Sequence, residues 1–345
     1  MLLMESRSRF QNGVLRFLWR QWSQLGVAAD AEWQDRWLID PEALLLLTLD
    51  VGRYDPRLFD EVLDWSVRNS RWLSVVRLGK IAAEQVGDTG RRLVAAFAEF
   101  MGEHGDPKRW RNLAGVTGGH SGEPIHLFLT SEGGTLPTIG AEDPTFARQG
   151  VLRPPVVLRG MSRTVPMDSP TNLLFKLRAL FGVGTRPDAL AYLLTHEQGY
   201  QTEIARRTSW SQSSLGNALG EIACSGLAAE CPAPARERLY SADRARWRQF
   251  LRLRYLPTWV DWVRVTTGLS VITAFFREET TDQLTDYMLR SRLWTLTEVA
   301  GPRFTDTGLA LRIGVHPGLS GSISYFRGFV ERLVGALNPK PPRVR

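Results

Sequence analysis

The chain has 345 residues, of which 43% are hydrophobic and 23% are charged, and its formal net charge is +7. This composition is ordinary for a folded globular protein and excludes a chain that is disordered throughout. The length predicts two or three domains, at roughly 100–200 residues per domain. No apolar run reaches the ~18 residues of a membrane helix, and the N-terminus becomes polar too early for a secretory signal. We therefore expect a cytoplasmic protein with no membrane partner.

Apolar spacing predicts a helical N-terminal domain over residues 1–103. Asp40-Pro41 starts a strongly apolar helix, and Tyr54-Asp55-Pro56 breaks it and opens another. Apolar blocks at 72–83 and 91–101 complete the predicted bundle. An earlier amphipathic helix is expected to pack on the body, with a membrane-surface helix as the alternative. Its apolar stripe comprises Phe10, Val14, Phe17, Leu18 and Trp22.

Residues 104–169 are predicted to be Gly/Pro-rich loops and an extended connection. Gly115, Gly118 and Gly119 are not followed by the Lys-Ser/Thr pair of a phosphate loop, so we expect an ordinary loop there. The apolar piece 125–129 is a candidate strand. Prolines at 154, 155 and 166 indicate a connection between domains.

The positive charge is concentrated in one segment. Between residues 236 and 254, seven arginines occur with only Glu237 and Asp243. Basic residues that cluster on one segment are typical of a nucleic-acid binder.

Residues 170–254 carry the pattern that bears most on function. Ser169-Pro170 starts a helix, with Ser as cap and Pro at the first helical position. Further helices are predicted from Pro187, over 201–208 and over 211–225, with a turn at Ser209-Trp210. Two strand-like pieces, 227–230 and 238–240, follow with a Pro-containing loop between them.

Over residues 186–240 this order resembles the winged helix-turn-helix domain of bacterial regulators such as the MarR and ArsR families. The residues that carry the resemblance are Ile204-Ala205, Ser211-Gln212-Ser213, Leu215, Leu219, Gly226-Leu227 and Arg238-Leu239-Tyr240. It implies a mainly α fold with small β elements, a central winged helix-turn-helix, and double-stranded DNA as the partner. The helical domain ahead of it faintly resembles AbiEi-type antitoxins, although in that family the winged helix lies near the N-terminus.

The resemblance implies that helix 211–225 enters the major groove, where its first turns expose Gln212, Ser213, Ser214 and Asn217. Gln and Asn can pair with adenine through two hydrogen bonds, and Ser can reach base edges or phosphate. The predicted phosphate contacts are Arg206, Arg207, Arg236, Arg238, Arg244 and Arg248, with Arg252 continuing the helical face of the last two. Arg236 and Arg238 could instead reach the minor groove, and an ordinary solvated face is an equal alternative for the helix that carries Arg244, Arg248 and Arg252.

Two features of helix 211–225 leave an alternative open. Gly216 and Gly220 each lower its helix propensity by about 1 kcal/mol, and its exposed face carries no Lys or Arg. A winged helix that docks protein, as in an antitoxin or a defence-system subunit, is therefore the second hypothesis.

Residues 255–338 are predicted to form a helical C-terminal domain, and 339–345 a basic tail. The helical stretches lie at 255–276, 280–300 and 320–337, with a candidate strand within 304–315. These helices are a candidate homodimer interface, and packing within the chain is an equal alternative. The N-terminal helical domain is a candidate site for a protein partner.

The sequence contains no constellation with catalytic or metal-binding spacing. Cys224 and Cys231 lack C-x-x-C spacing, and we expect reduced thiols, with Cys224 in the core. No two histidines lie at i, i+4, and no G-x-S-x-G occurs. Asp60, Glu61 and Asp64 are expected on an exposed helix face. We predict a DNA-binding transcriptional regulator, not an enzyme, with no catalytic residue, cofactor or metal.

Overall fold

The structure is a computed structural model. It describes residues 2–29, 36–85, 87–115, 122–233, 237–278, 284–314 and 318–339. Over these residues the chain is mainly helical and carries two small β-sheets. The predicted mainly α fold class with small β elements is confirmed at this level.

Two of the N-terminal helices begin where an aspartate precedes a proline. The Asp40 side chain accepts the backbone N–H of Ala43, and the Asp55 side chain accepts that of Leu58. Both carboxylates satisfy donors that the first helical turn leaves free. The helices of this region are α1 (Leu2–Gln24), α2 (Pro41–Val51), α3 (Pro56–Asn69), α4 (Val75–Gln85) and α5 (Asp88–Glu103).

Residues 104–169 contain two short helices that the sequence did not predict. They are α6 (Pro107–Ala114) and α7 (Pro144–Arg148). Strands β1 (Ile125–His126) and β2 (Val151–Leu152) pair in parallel. In α6 only Trp110 and Leu113 are buried, which is too few for apolar periodicity to show. Gly118 and Gly119 lie outside the described residues.

The acidic residues of α3 do not form the predicted exposed stripe. Asp60 is half-buried, and its carboxylate lies 2.8 Å from the Arg153 guanidinium. Glu61 and Asp64 are buried. The Asp64 carboxylate accepts two backbone N–H groups from the connection, at Gly160 and Ser162. These bonds hold the connection against α3, and they are the partners that buried carboxylates require.

The central unit has a hydrophobic cluster of its own, drawn from residues 173–253 together with Leu38. Three short strands form an antiparallel sheet in the order β3–β5–β4. The elements are α8 (Leu173–Phe181), α9 (Thr185–Thr195), β3 (Gly199–Tyr200), α10 (Gln201–Thr208), α11 (Gln212–Cys224), β4 (Ala229–Cys231), β5 (Leu239–Ser241) and α12 (Arg244–Phe250).

The C-terminal helices pack within the chain. α13 (Trp262–Arg277) lies against α2 and α14 (Asp286–Phe304), and α15 (Ser322–Leu337) lies against α1 and α14. The apolar stripe predicted on α1 is buried, and it belongs to one hydrophobic cluster that the N-terminal and C-terminal helices share. The N-terminal and C-terminal helices therefore do not bury separate cores. The predicted domain boundaries stay a prediction.

Two local expectations near the C-terminal half are wrong. Residues 304–314 contain no strand, because α14 continues to Phe304 and the chain then turns at Asp306, which has φ +53°. α12 ends at Phe250, and Arg252 has φ +52°. Arg252 therefore does not continue the helical face of Arg244 and Arg248.

Candidate nucleic-acid interface

The turn between α10 and α11 is built by two serines. Ser209 ends α10 in the left-handed conformation, with φ +58°. The Ser211 hydroxyl then caps α11 by accepting the backbone N–H of Ser214 at 3.2 Å. The two helices meet through buried apolar side chains, which are Ile204, Ala205, Leu215, Leu219 and Ile222. This packing turns the opposite side of α11 outward.

The outward side of α11 is polar and open to solvent. Gln212, Ser213, Ser214 and Asn217 are all exposed in the folded chain. The Ser211 hydroxyl also donates to the Ser214 hydroxyl at 2.9 Å. The described segments of the chain leave this face uncovered, as docking into a groove requires. Cys224, at the end of the same helix, is exposed and not in the core as expected.

The arginines predicted to contact phosphate differ in how exposed their side chains are. Arg206, Arg238 and Arg248 are exposed. Arg244 is half-buried, and its Nε donates to the carbonyl oxygen of Leu194 at 3.1 Å. Arg236 lies outside the described residues.

Arg207 departs most clearly from its predicted role. Its side chain is only 14% exposed and its guanidinium lies 3.2 Å from the Asp261 carboxylate. It also donates to the carbonyl oxygen of Asp306 at 2.6 Å. Burial raises the pKa of Asp261, while the backbone N–H of Arg264 and the charge of Arg207 act in the opposite direction. Arg207 therefore fastens α10 to the start of α13 and is not available to phosphate.

Gln201, the first residue of α10, forms hydrogen bonds to the residue before β5 and to the first residue of α11. Its backbone N–H donates to the carbonyl oxygen of Arg238 at 2.9 Å, and its side-chain amide donates to that of Gln212 at 3.1 Å. The side chain lies across Gly216, where an added Cβ would overlap the Gln201 amide. Around Gly220, one turn later, the same Cβ would meet open space. Of the two helix-weakening glycines, only Gly216 thus makes room for a neighbour.

A buried ion network holds the central unit against the N-terminal helices. Glu42 is fully buried and accepts hydrogen bonds from Arg77 at 2.8 Å and from Arg178 at 2.7 and 3.0 Å. Arg77 also donates to the carbonyl oxygen of Thr208, in the last turn of α10, at 2.7 Å. The position of α10 is therefore set by charges from α4, α8 and the start of α2.

The carboxylates of Asp188 and Asp40 complete the ion network. Together with Glu42, three carboxylates therefore face the two guanidiniums of Arg77 and Arg178. Burial raises the pKa of Asp188, and the attraction of Arg178 and Arg77 offsets this only in part. Burial acts in the same direction on Asp40, but the charge and hydrogen bond of Arg77 outweigh it, so the pKa of Asp40 is lowered. No ion network was predicted for these residues, and the available signal in the sequence was an arginine inside each of two apolar helices.

The geometry of α10 and α11 is not accompanied by similarity to a known protein. The chain matches no protein-family model, no curated protein and no solved structure. Within the described ranges, His, Cys, Asp and Glu side chains do not gather in groups of three that could hold a metal ion. Helices that are long and apolar enough to cross a bilayer are absent from the same ranges.

Proposed function

We propose that residues 170–254 form a winged helix-turn-helix domain, and that the chain is a sequence-specific DNA-binding protein acting as a transcriptional regulator. The observation that carries this proposal is the uncovered polar face of α11, with Gln212, Ser213 and Asn217 exposed. Two further observations support it. The hairpin β4–β5 follows α11, and the backbone bond between Gln201 and Arg238 ties β5 to the start of α10.

The proposed contacts divide by chemistry. The amides of Gln212 and Asn217 suit the edge of adenine, so we expect a target site with A·T pairs at the contacted positions. Arg206, Arg238 and Arg248 would contact phosphates, which set position without sequence preference. Arg207 is no longer part of the proposed interface. Three phosphate contacts correspond to a slope of about −2.7 for log K against log salt concentration.

The test is selection of duplexes from a random pool by the full-length chain, followed by titration of the selected duplex. We expect a consensus that contains A·T pairs. Replacing both Gln212 and Asn217 by Ala should weaken binding to that duplex by about 1–3 kcal/mol for each amide. Binding to a scrambled duplex should stay unchanged, because phosphate contacts remain.

Gln249→Ala is the matched control, since it removes an exposed amide from α12 and leaves α11 intact. It should change neither the consensus nor the affinity. Selection that yields no consensus, or a double variant that keeps the full preference for the selected duplex, would refute direct recognition by α11.

A protein-docking role, as in an antitoxin or a defence-system subunit, is the second candidate. The observation that favours it is the lack of any Lys or Arg in α11, since Arg on guanine is the commonest specific contact in DNA readers. Equal affinity for every duplex tested would support this candidate over the first. In both cases we propose a binding protein and not an enzyme. A homodimer through the C-terminal helices remains part of the proposal.

A further inference from the structure

A cleft of about 570 Å³ lies between the hairpin β4–β5 and α12, and the residues that line it include none from α11. We name it the wing cleft, and its lining includes Leu227, Ala229, Ala242, Arg246, Trp247 and Phe250. Trp247 is buried, and its indole N–H donates to the carbonyl oxygen of Leu227 at 2.9 Å. The ring of Phe250 stands edge-on to Trp247, with 5.7 Å between centroids. The tryptophan thus gives the cleft a fixed wall.

The wing cleft is concave because small residues line one side of it and large ones its edge. Ala228, Ala229 and Ala242 contribute only methyl groups, so no side chain fills the space. Leu227 is 41% exposed and Phe250 is 66% exposed, which places two large apolar side chains in water. Exposed apolar groups that adjoin a concave surface mark a site for binding another molecule.

Positive charge is concentrated in α12, which forms one side of this apolar surface, and in the residues that follow α12. Residues 244–254 contain five arginines and no acidic residue. Arg246 lines the cleft and Arg248 is exposed on the same helix, and neither side chain makes an ion pair with the described residues. Asp243 also lines the cleft, where its carboxylate caps α12 by accepting the backbone N–H of Arg246. The local excess of arginine favours a partner with negative charge.

We propose that the wing cleft docks an acidic segment of a partner protein. The segment inserts two neighbouring large apolar side chains beside Trp247 and Phe250, and a carboxylate of the segment lies against Arg246, the arginine that lines the cleft. Trp and Arg at the centre of an apolar surface are the residue types that dominate binding energy between proteins. Duplex DNA has the negative charge, but its phosphates and sugars offer no apolar group of this size to the cleft.

Docking of this segment does not depend on the proposed function. A consequence that does rest on it is competition, because the acidic segment would bring negative charge to α12, the same short helix whose Arg248 is a proposed phosphate contact. A partner in the wing cleft would then weaken DNA binding without touching α11.

The test is a library of random peptides displayed on phage and selected on the full-length chain, with counter-selection on the Phe250→Ala variant. Surviving peptides should carry two large apolar residues and an excess of Asp and Glu. A labelled peptide with the enriched sequence is then titrated by fluorescence anisotropy. Phe250→Ala and Arg246→Glu should each weaken binding about tenfold or more.

Two exposed positions supply matched controls, Val76→Ala on α4 for the apolar change and Arg111→Glu on α6 for the charge reversal. Both should stay within about twofold of the wild-type affinity. The proposal is overturned if no peptide survives counter-selection, if survivors lack acidic residues, or if Arg246→Glu binds as well as wild type. It is also overturned if Phe250→Ala weakens the binding of duplex DNA as much as it weakens the binding of the peptide. A failure of the DNA-binding proposal can be distinguished from a failure of this one, because the DNA-binding test uses variants at Gln212 and Asn217.

Discussion

Substitutions at the two glycines of α11 test whether Gly216 is a packing position and Gly220 is not. A glycine in a helix interior costs roughly 0.5–1 kcal/mol relative to alanine. Gly220 has open space around an added Cβ. Gly220→Ala should therefore raise the free energy of unfolding by about 0.5–1 kcal/mol, because only helix propensity changes.

Gly216→Ala has the same gain in propensity, but it displaces the Gln201 side chain and breaks its hydrogen bond to the carbonyl oxygen of Gln212. A hydrogen bond of this kind contributes about 0.5–1.5 kcal/mol. The two effects nearly cancel, so Gly216→Ala should leave the free energy of unfolding within about 0.5 kcal/mol of wild type. In a Gln201→Ala background the added Cβ no longer overlaps the side chain at position 201, so Gly216→Ala should then raise the free energy of unfolding.

The assay is urea unfolding of the four proteins in the cycle formed by Gln201→Ala and Gly216→Ala, with Gly220→Ala as the matched control. We expect a coupling free energy of about 0.5–1.5 kcal/mol between positions 201 and 216. Additive effects, or a Gly216→Ala protein as stable as Gly220→Ala, would show that Gln201 does not lie across α11 as described.

Three further predictions concern the ion network and the C-terminal helices. Glu42→Gln should lower the free energy of unfolding by about 3–5 kcal/mol in urea, because two buried guanidiniums lose their shared carboxylate. Asp188→Asn should cost far less, since the Asp188 carboxylate lies farther from its partners, at 3.4 Å from Arg178 and 3.7 Å from Arg77, and equal losses would contradict that ranking. Burial raises the pKa of Asp188, so its stabilising contribution is full below the ordinary carboxyl pKa and is lost as pH rises through the raised value. Wild type should therefore lose stability relative to Asp188→Asn as the pH rises above the ordinary carboxyl pKa of about 4, and a constant difference would refute this. If α14 forms the proposed homodimer, Tyr287→Glu should yield monomers in sedimentation velocity, because it charges a 71% exposed apolar position, whereas a monomeric wild type would end that proposal.

The parts of the fold that local sequence determines were predictable. Asp40 and Asp55 stand before prolines, and the helices start there because both cap geometry and the fixed φ of proline act within one turn. The bounds of α10 and α11 follow in the same way from Ser209 and Ser211, which lie between two apolar stripes. The exposed positions of Gln212 and Asn217 then follow from helical periodicity.

The parts that depend on distant residues were not predictable from one sequence. β3 has two residues, Gly199 and Tyr200, and exists only through pairing with β5 about 40 residues later. Arg207 looked like a phosphate contact, but its ion pair with Asp261 joins α10 to a helix far along the chain. The charge pattern of a short segment cannot distinguish a free arginine from one that is paired at long range.

The most direct test of the DNA proposal is hydrogen–deuterium exchange of the full-length chain, alone and saturated with the selected duplex. The first backbone N–H groups of a helix lack partners within it, so those at the start of α11 exchange readily in the free protein unless a side chain holds them. We expect slower exchange over residues 211–217 in the complex and no change in α15. Unchanged exchange over 211–217 at saturation, with protection elsewhere on the chain, would contradict it.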